Sequence, residues 1–217
     1  MNIQRPARLI LLIITVIATM AVLCPATAPA QLESTILTQD IRLTLNKFGD
    51  GDIEIKQTMN GLQWTTWYKL YGQNPSLIKR NIEYELSAYE ISDIKIAVDA
   101  TNRAYVATMK QKAASMYKGN GIWEIELKKG TTVNKLSNDE WLLNTSDTTG
   151  NCILQNNIKV RFPKGAKNIS QAIDETGKPI IRYELSYASP LPIFLAVAIL
   201  FLILAIATAT AKFSKVI

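Results

Sequence analysis

The sequence predicts an α+β domain that is a mainly antiparallel β-sheet or sandwich with a short two-helix insertion, followed by one C-terminal transmembrane α-helix. Three observations lead to this prediction. Several short runs alternate apolar and polar side chains, which is typical of strands with one wet face. One segment in the first half of the chain instead repeats its apolar residues at helical spacing. Near the C-terminus, an uncharged apolar run has the length of a bilayer span.

The first 30 residues have the pattern of an export signal. Arg5 and Arg8 precede an apolar core that ends at Leu23, and small residues at Ala28 and Ala30 suit cleavage after Ala30. An uncleaved N-terminal anchor is the alternative for this segment. In either case the domain that follows is expected outside the cytoplasm.

A second apolar run begins at Leu191 and ends at Ala211 without a single charged residue. At about 1.5 Å of rise per residue, a helix of this length crosses a hydrocarbon core of roughly 30 Å. We therefore predict a transmembrane helix over residues 190–211 and a short basic tail over residues 212–217. Since basic tails favour the cytoplasmic side, residues 31–189 form an extracytoplasmic domain of a single-pass cell-membrane protein with a cytoplasmic C-terminus.

The net charge gives no reason to expect a nucleic-acid partner. Arg5, Arg8, Lys212 and Lys215 lie in the two end segments, where no acidic residue accompanies them. Removing these four cations from the formal net charge of +6 leaves +2 for the rest of the chain. A small charge of mixed signs is expected for an ordinary solvated surface.

The stretch LNKFGDGDIEIK has acidic residues at alternate positions. Such a pattern could belong either to a calcium-binding loop or to a turn. Counted from Asp50, a helix-loop-helix calcium site needs glycine at the sixth position and an acid at the twelfth. The sequence has Ile55 and Gly61 there. Turn chemistry explains the glycines and aspartates, since alternation on both sides of them indicates a β-hairpin. We therefore predict a hairpin turn and no metal.

The two-helix insertion follows this hairpin. Asn60 and Gln63 have the spacing of a capping pair, and Gly72 suits the end of the first helix. Pro75 suits the first turn of a second helix, which we expect to run to about Ser87.

Each helix has one apolar face. The first helix places four aromatic residues at helical spacing: Trp64, Trp67, Tyr68 and Tyr71. The second helix places four aliphatic residues in the same way: Leu77, Ile78, Ile82 and Leu86. Packing on a sheet accounts for both faces. The alternative for the aromatic face is a binding platform for a sugar or peptide, or a contact with the membrane interface.

Alternation returns in four later runs: YEISDIKIAVD, GIWEIELKK, NNIKVRF and IIRYELSY. Each run predicts a strand. The segment RAYVATMKQKAASM fits either a strand or, in its alanine-rich half, a helix. After the signal, Cys152 is the only cysteine, so the exported domain cannot form an internal disulfide and must be held together by its core.

Residues suited to catalysis are few. The chain has no histidine, which excludes histidine-based triads and histidine metal ligands. A glycan hydrolase would need two carboxylates facing each other across a cleft. The candidates Asp50 and Asp52, and likewise Asp139 and Glu140, lie too close in sequence for that arrangement. We therefore predict no catalytic residue and no cofactor.

These observations predict a binding or scaffolding module of the cell envelope without catalytic activity. Its expected partners are the lipid bilayer, through the apolar run, and another envelope protein. The alternative function is a carboxylate-based envelope hydrolase acting on glycans. Two sequons, at Asn144 and Asn168, permit glycosylation in a host that has the machinery.

Overall fold

The computed structural model of the protein describes residues 35–149 and 152–186. The predicted export signal, the predicted transmembrane helix over 190–211 and the predicted tail over 212–217 lie outside the described residues. Within the described ranges, none of the helices combines the length and the hydropathy required to cross a bilayer.

The described residues form a β-rich domain with one helical insertion. The strands are β1 (Thr35–Leu45), β2 (Gly51–Thr58), β3 (Ile91–Asp99), β4 (Ala104–Gln111), β5 (Met116–Gly119), β6 (Ile122–Glu126), β7 (Thr132–Lys135), β8 (Glu140–Thr149), β9 (Cys152–Arg161), β10 (Ala166–Ile173) and β11 (Pro179–Leu185). The insertion comprises α1 (Gly61–Trp67), a π-helical segment (Tyr68–Gly72) and α2 (Pro75–Glu85). The predicted two-helix insertion in a sheet domain is therefore confirmed.

The strands form two sheets. The larger sheet has the order β3-β4-β2-β1-β9-β8-β7, and the smaller has the order β10-β11-β6-β5. Neighbouring strands are antiparallel throughout the described sheets except for β1 and β9, which pair in parallel with Thr35 opposite Cys152. The predicted, mainly antiparallel character of the sheet is confirmed. The parallel pair at the centre of the larger sheet was not predicted.

One face of the larger sheet is buried and the other is wet. Along β1, Ile41, Leu43 and Leu45 are buried, while Arg42 between them is exposed. The smaller sheet and the helical insertion both contribute to a single core with this buried face. The alternation in the sequence therefore corresponds to one apolar and one solvated face of the larger sheet.

The β1–β2 hairpin has the turn that its sequence predicts. Gly49 has a φ of +83°, a conformation that glycine adopts without steric cost. The side-chain oxygen of Asn46 accepts hydrogen bonds from the backbone N–H groups of Phe48 and Asp50, at 2.8 and 3.1 Å. The Asp50 carboxylate accepts a hydrogen bond from the Ala113 N–H at 3.1 Å, so it links two loops. Across the described ranges, no three potential metal ligands of the His, Cys, Asp or Glu type lie together.

Candidate binding surface on the helical insertion

The first helix begins where the sequence predicts. The Asn60 side chain accepts a hydrogen bond from the Gln63 N–H at 2.9 Å, and the Gln63 side chain accepts one from the Asn60 N–H at 3.0 Å. This reciprocal pair is the predicted capping box. It fixes the direction in which α1 leaves β2 and therefore the orientation of its aromatic residues.

The last turn of this helix has π-helical geometry. In this geometry each backbone hydrogen bond joins residues that are five positions apart instead of four. Such short π segments are rare and often occur at functional sites. A Cβ atom at Gly72 would lie 2.2 Å from the Tyr68 ring, so the ring lies directly against the glycine. The predicted end of the helix at Gly72 is correct, and the missing side chain there also makes room for Tyr68.

The aromatic residues form a continuous stack that runs from the core to the surface. Trp67 stacks on Tyr105 of β4, with ring centroids 5.2 Å apart and planes within 4° of parallel. On its other side, Trp67 stacks on Trp64 at 5.2 Å. Trp64 in turn contacts Tyr68 at 5.3 Å. Each ring therefore packs against the next ring towards the core. The innermost ring, that of Tyr105, belongs to strand β4 of the larger sheet.

Burial divides this aromatic face. Trp67 is fully buried, with 0% of its surface exposed. Trp64 and Tyr71 are half-buried, and Tyr68 is 37% exposed. The four aromatic residues predicted from helical spacing thus lie together, but at different depths. The inner part belongs to the core, whereas Trp64, Tyr68 and Tyr71 each combine partial exposure with a contact to a neighbouring ring.

The second helix packs its aliphatic residues on the sheet. Ile78, Ile82 and Leu86 are buried in the core that is shared with the sheet. The helix begins at Pro75, as predicted, and ends at Glu85, slightly before the predicted end. On its outer side Tyr84 is 78% exposed, and none of the ring contacts found in the aromatic stack includes it.

A row of buried polar residues, which the sequence analysis missed, lies beneath the stack. Aligned residues on five adjacent strands form the row: Thr145, Asn156, Gln39, Gln57 and Tyr105. The Tyr105 hydroxyl donates a hydrogen bond to the Gln57 side-chain oxygen at 3.0 Å, and the Asn156 amide donates to the Thr145 hydroxyl at 3.3 Å. Burial raises the pKa of Tyr105, and a hydrogen bond with Gln39 acts against this rise.

Tyr105 thus joins two features, because its ring carries the aromatic stack and its hydroxyl belongs to the polar row. Within the described ranges, Gln39 Oε1, Gln57 Nε2 and Asn156 Oδ1 are buried without a hydrogen-bond partner. A buried amide group without a hydrogen-bond partner costs stability. The only sequence signal for the row is the presence of polar residues at inward positions of alternating strands.

The opposite, wet face of the larger sheet carries a shallow depression of about 280 Å³. Its charged side chains are largely paired: Arg42 with Glu54 at 3.1 Å, and Lys110 with Asp93 at 2.8 Å. The hydrogen bond and charge of Lys110 hold the pKa of Asp93 below its usual value. A carboxylic acid that donates a proton in catalysis needs the opposite shift.

The acids considered for a hydrolase have structural contacts of their own. Asp50 lies in the β1–β2 turn, and Asp52 lies on the wet face. The Asp139 carboxylate accepts a hydrogen bond from the Ser137 hydroxyl at 2.7 Å in the turn before β8. Glu140 lies 4.0 Å from Arg161 of the neighbouring strand. These positions are those of turn and surface residues.

A second depression, of about 490 Å³, lies beside the turn between β10 and β11. Lys128, Lys129 and Lys178 line it together with Glu126. Lys178 pairs with Glu126 at 2.5 Å, and Lys128 pairs with Asp147. Two of the three cations therefore form ion pairs with acids.

The two sequon asparagines have different environments. Asn144 is half-buried within β8, which is paired on both sides. Asn168 is exposed on the edge strand β10, at a bulge where its φ is +52°. Its side-chain amide donates a hydrogen bond to Glu184 at 2.8 Å. Of the two, Asn168 is the one that the fold leaves open to solvent.

Two comparisons with known proteins, one with protein-family models and one with curated sequences, found no match to this chain.

Proposed function

We propose that the protein is a single-pass, membrane-anchored module of the cell envelope that binds another envelope protein through the outer end of its aromatic stack. The binding surface consists of Trp64 and Tyr68. The observation that carries the proposal is the unbroken stack from the buried Tyr105 to the partly exposed Tyr68.

Such a stack suits binding for a physical reason. Aromatic side chains give a large contact area with few rotatable bonds, and association costs less when they are already held in place. Trp67 fixes Trp64 from behind, and the bare backbone of Gly72 fixes the position of the Tyr68 ring. Tryptophan and tyrosine are also the residues most often found to dominate protein interfaces.

The proposed binding surface lies at one end of the described domain. Strand β2 connects the β1–β2 turn at one end of the domain to α1 at the other end, a distance of about 25 Å for a strand of this length. The chain leaves β11 at Ser186, on the side of the β1–β2 turn, because Tyr183 lies 2.7 Å from Ser115 and Ser115 contacts Gly49. Within the described domain, α1 therefore lies at the end opposite to the last residue of β11.

The hydrolase alternative has less support. Glu54 and Asp93 on the wet face form ion pairs, and the pKa of Asp93 is shifted away from the value that a general acid needs. A binding function requires no such shift, and the stacked aromatic residues provide a surface for it.

The chain offers a matched pair of tyrosines for the experiment. Tyr68 and Tyr84 are both exposed and lie on consecutive helical segments, but only Tyr68 is part of the stack. A photo-crosslinking amino acid is placed at each position in the full chain, and native membranes are irradiated. We expect a distinct crosslinked protein from position 68 and none from position 84.

Serine substitutions provide the second readout. Tyr68→Ser should reduce recovery of the crosslinked partner in affinity purification, whereas Tyr84→Ser should not, with both variants folded as judged by their thermal unfolding. Equal recovery with the two variants, or the same crosslinks from both positions, would show that the stack is not the binding surface.

A further inference from the structure

The side chain of Arg103 lies beside the start of the helical insertion. Arg103 is the last residue of the turn between β3 and β4. Its carbonyl oxygen accepts a hydrogen bond from the Met59 N–H at 2.9 Å, which joins this turn to the end of β2. A Cβ atom at Gly61 would lie 3.5 Å from Arg103 Nη1, so the guanidinium group lies next to the first residue of α1. The fold therefore places a cation beside this helix.

Gly61 shares a helix face with the exposed part of the aromatic stack. Residues that are three or four positions apart are neighbours on a helix surface. Gly61 and Trp64 are three positions apart, and Trp64 and Tyr68 are four apart with their rings in contact at 5.3 Å. Arg103 is exposed, as Tyr68 is. The guanidinium group thus lies at one end of the proposed binding surface, and the Tyr68 ring lies at the other.

The charges of the insertion are mostly of one sign. Over residues 61–82 the insertion has no acidic residue and three cations: Lys69, Lys79 and Arg80. Glu83 forms an ion pair with Lys79 at 3.8 Å, which leaves the other two cations uncompensated by it. The surroundings of the aromatic surface therefore have a positive charge.

Arg103 is not used by an ion pair within the domain. In the part of the chain that the structure describes, the ion pairs include neither Arg103 nor Lys69 nor Arg80. The acid of the same turn, Asp99, accepts hydrogen bonds from the N–H and the side-chain amide of Asn102, at 3.0 and 2.7 Å. The planar guanidinium group of an exposed arginine can bind a carboxylate through two parallel hydrogen bonds.

We infer that the partner presents an acidic segment to this surface. A carboxylate of the segment binds Arg103, and an apolar side chain next to it packs on Trp64 and Tyr68. The positive surroundings attract such a segment, whereas a basic segment would be repelled. Contacts of two different kinds at the two ends of the surface also fix the orientation of the bound segment. The inference rests on the proposed function, because it concerns the partner that the aromatic stack binds.

A photo-crosslinking amino acid at position 68 of the full chain, in native membranes, tests the inference. The yield of the crosslinked protein is compared for the chain without a second change and for Arg103→Gln, Arg103→Lys and Arg80→Gln. Arg80 is a matched control. It is also exposed and absent from the ion pairs of the described residues, but it lies on the outer side of α2, one turn before Tyr84. Each yield is measured at about 0.1 M and about 1 M NaCl, between which the screening length falls from about 10 Å to about 3 Å.

We expect Arg103→Gln to lower the yield several-fold. Arg103→Lys should lower it less, because lysine keeps the charge but loses the two parallel hydrogen bonds. Arg80→Gln should leave the yield unchanged, with each variant folded as judged by its thermal unfolding. Without any second change, the higher salt concentration should also lower the yield several-fold, and this result does not depend on the folding of an Arg103 variant.

A protein crosslink at position 68 that is unchanged by Arg103→Gln, or unchanged by salt, would overturn the inference and leave the proposed function in place. An equal loss with Arg80→Gln, or a crosslinked product that nuclease digests, would also overturn the inference. Absence of a distinct crosslinked protein at position 68 would overturn both the proposed binding surface and the inference that rests on it.

Discussion

Truncation of the buried tryptophan of the stack tests how the insertion is joined to the sheet. Trp67 has no exposed surface and is stacked between Tyr105 and Trp64. Replacing a fully buried tryptophan by alanine costs about 3–5 kcal/mol, because the lost contacts are only partly restored by relaxation. A domain of this size has about 5–15 kcal/mol of total stability. Trp67→Ala should therefore remove a large fraction of it.

The same reasoning predicts a graded series along the stack. Trp64 is half-buried, so Trp64→Ala should cost about 1–3 kcal/mol. Tyr68→Ala should cost less than Trp64→Ala, since more than a third of Tyr68 is already exposed. Trp67→Phe is the conservative control. It keeps a ring in the stack and removes a buried indole N–H that has no hydrogen-bond partner within the described residues, so it should cost less than Trp67→Ala.

Urea denaturation of the fragment 31–189, followed by circular dichroism, measures these free energies. A thermal scan should show the Trp67→Ala midpoint lower by roughly 10 °C, from a shift of about 2–4 °C per kcal/mol. Equal costs at the three positions would contradict the gradient of burial. A Trp67→Ala cost below about 1 kcal/mol would show that the insertion does not depend on its contact with Tyr105.

Three further predictions concern turns. Gly49→Ala should lower the unfolding midpoint more than Gly165→Ala, because both glycines have positive φ but only at Gly49 would a Cβ lie 2.3 Å from an indole ring. Backbone hydrogen bonds, chiefly from Lys178, lower the pKa of Asp174 from its usual 3.8. Its stabilisation is therefore present above that pH and lost as the pH falls through the lowered pKa, so Asp174→Ala should destabilise the domain at neutral pH and much less in strong acid. Calcium should leave the midpoint unchanged both in the unmutated domain and in the double variant Asp50→Asn, Asp52→Asn, whereas a calcium-dependent rise that the variant abolishes would contradict the hairpin turn.

The sequence predicted those parts of the fold whose cause is local. The capping pair Asn60 and Gln63, the proline at the start of α2 and the turn around Gly49 each act through neighbours a few residues away. Alternation likewise identified strands that have one clearly apolar side. For the segment that fitted either a strand or a helix, tertiary pairing decides the outcome, because β4 is hydrogen-bonded between β2 and β3.

Other elements had no local signal strong enough to predict them. Strand β8 carries Thr145 on its inward side, and β10 is an edge strand with a bulge, so neither alternates clearly. The parallel pairing of β1 with β9 joins segments more than a hundred residues apart and depends on the whole sheet. For the candidate site, helical spacing found the aromatic residues, but their depth depends on Tyr105, which comes from a distant strand.

The most direct test of the central proposal is the topology of the full chain in its native membrane. A tag is placed after Ile217, and intact cells are treated with protease before and after permeabilisation. The proposal of an exported domain anchored by a C-terminal span predicts that protease on intact cells digests residues 31–189 and leaves the tag, which becomes accessible only after permeabilisation. Removal of the tag from intact cells, with residues 31–189 protected, would contradict it.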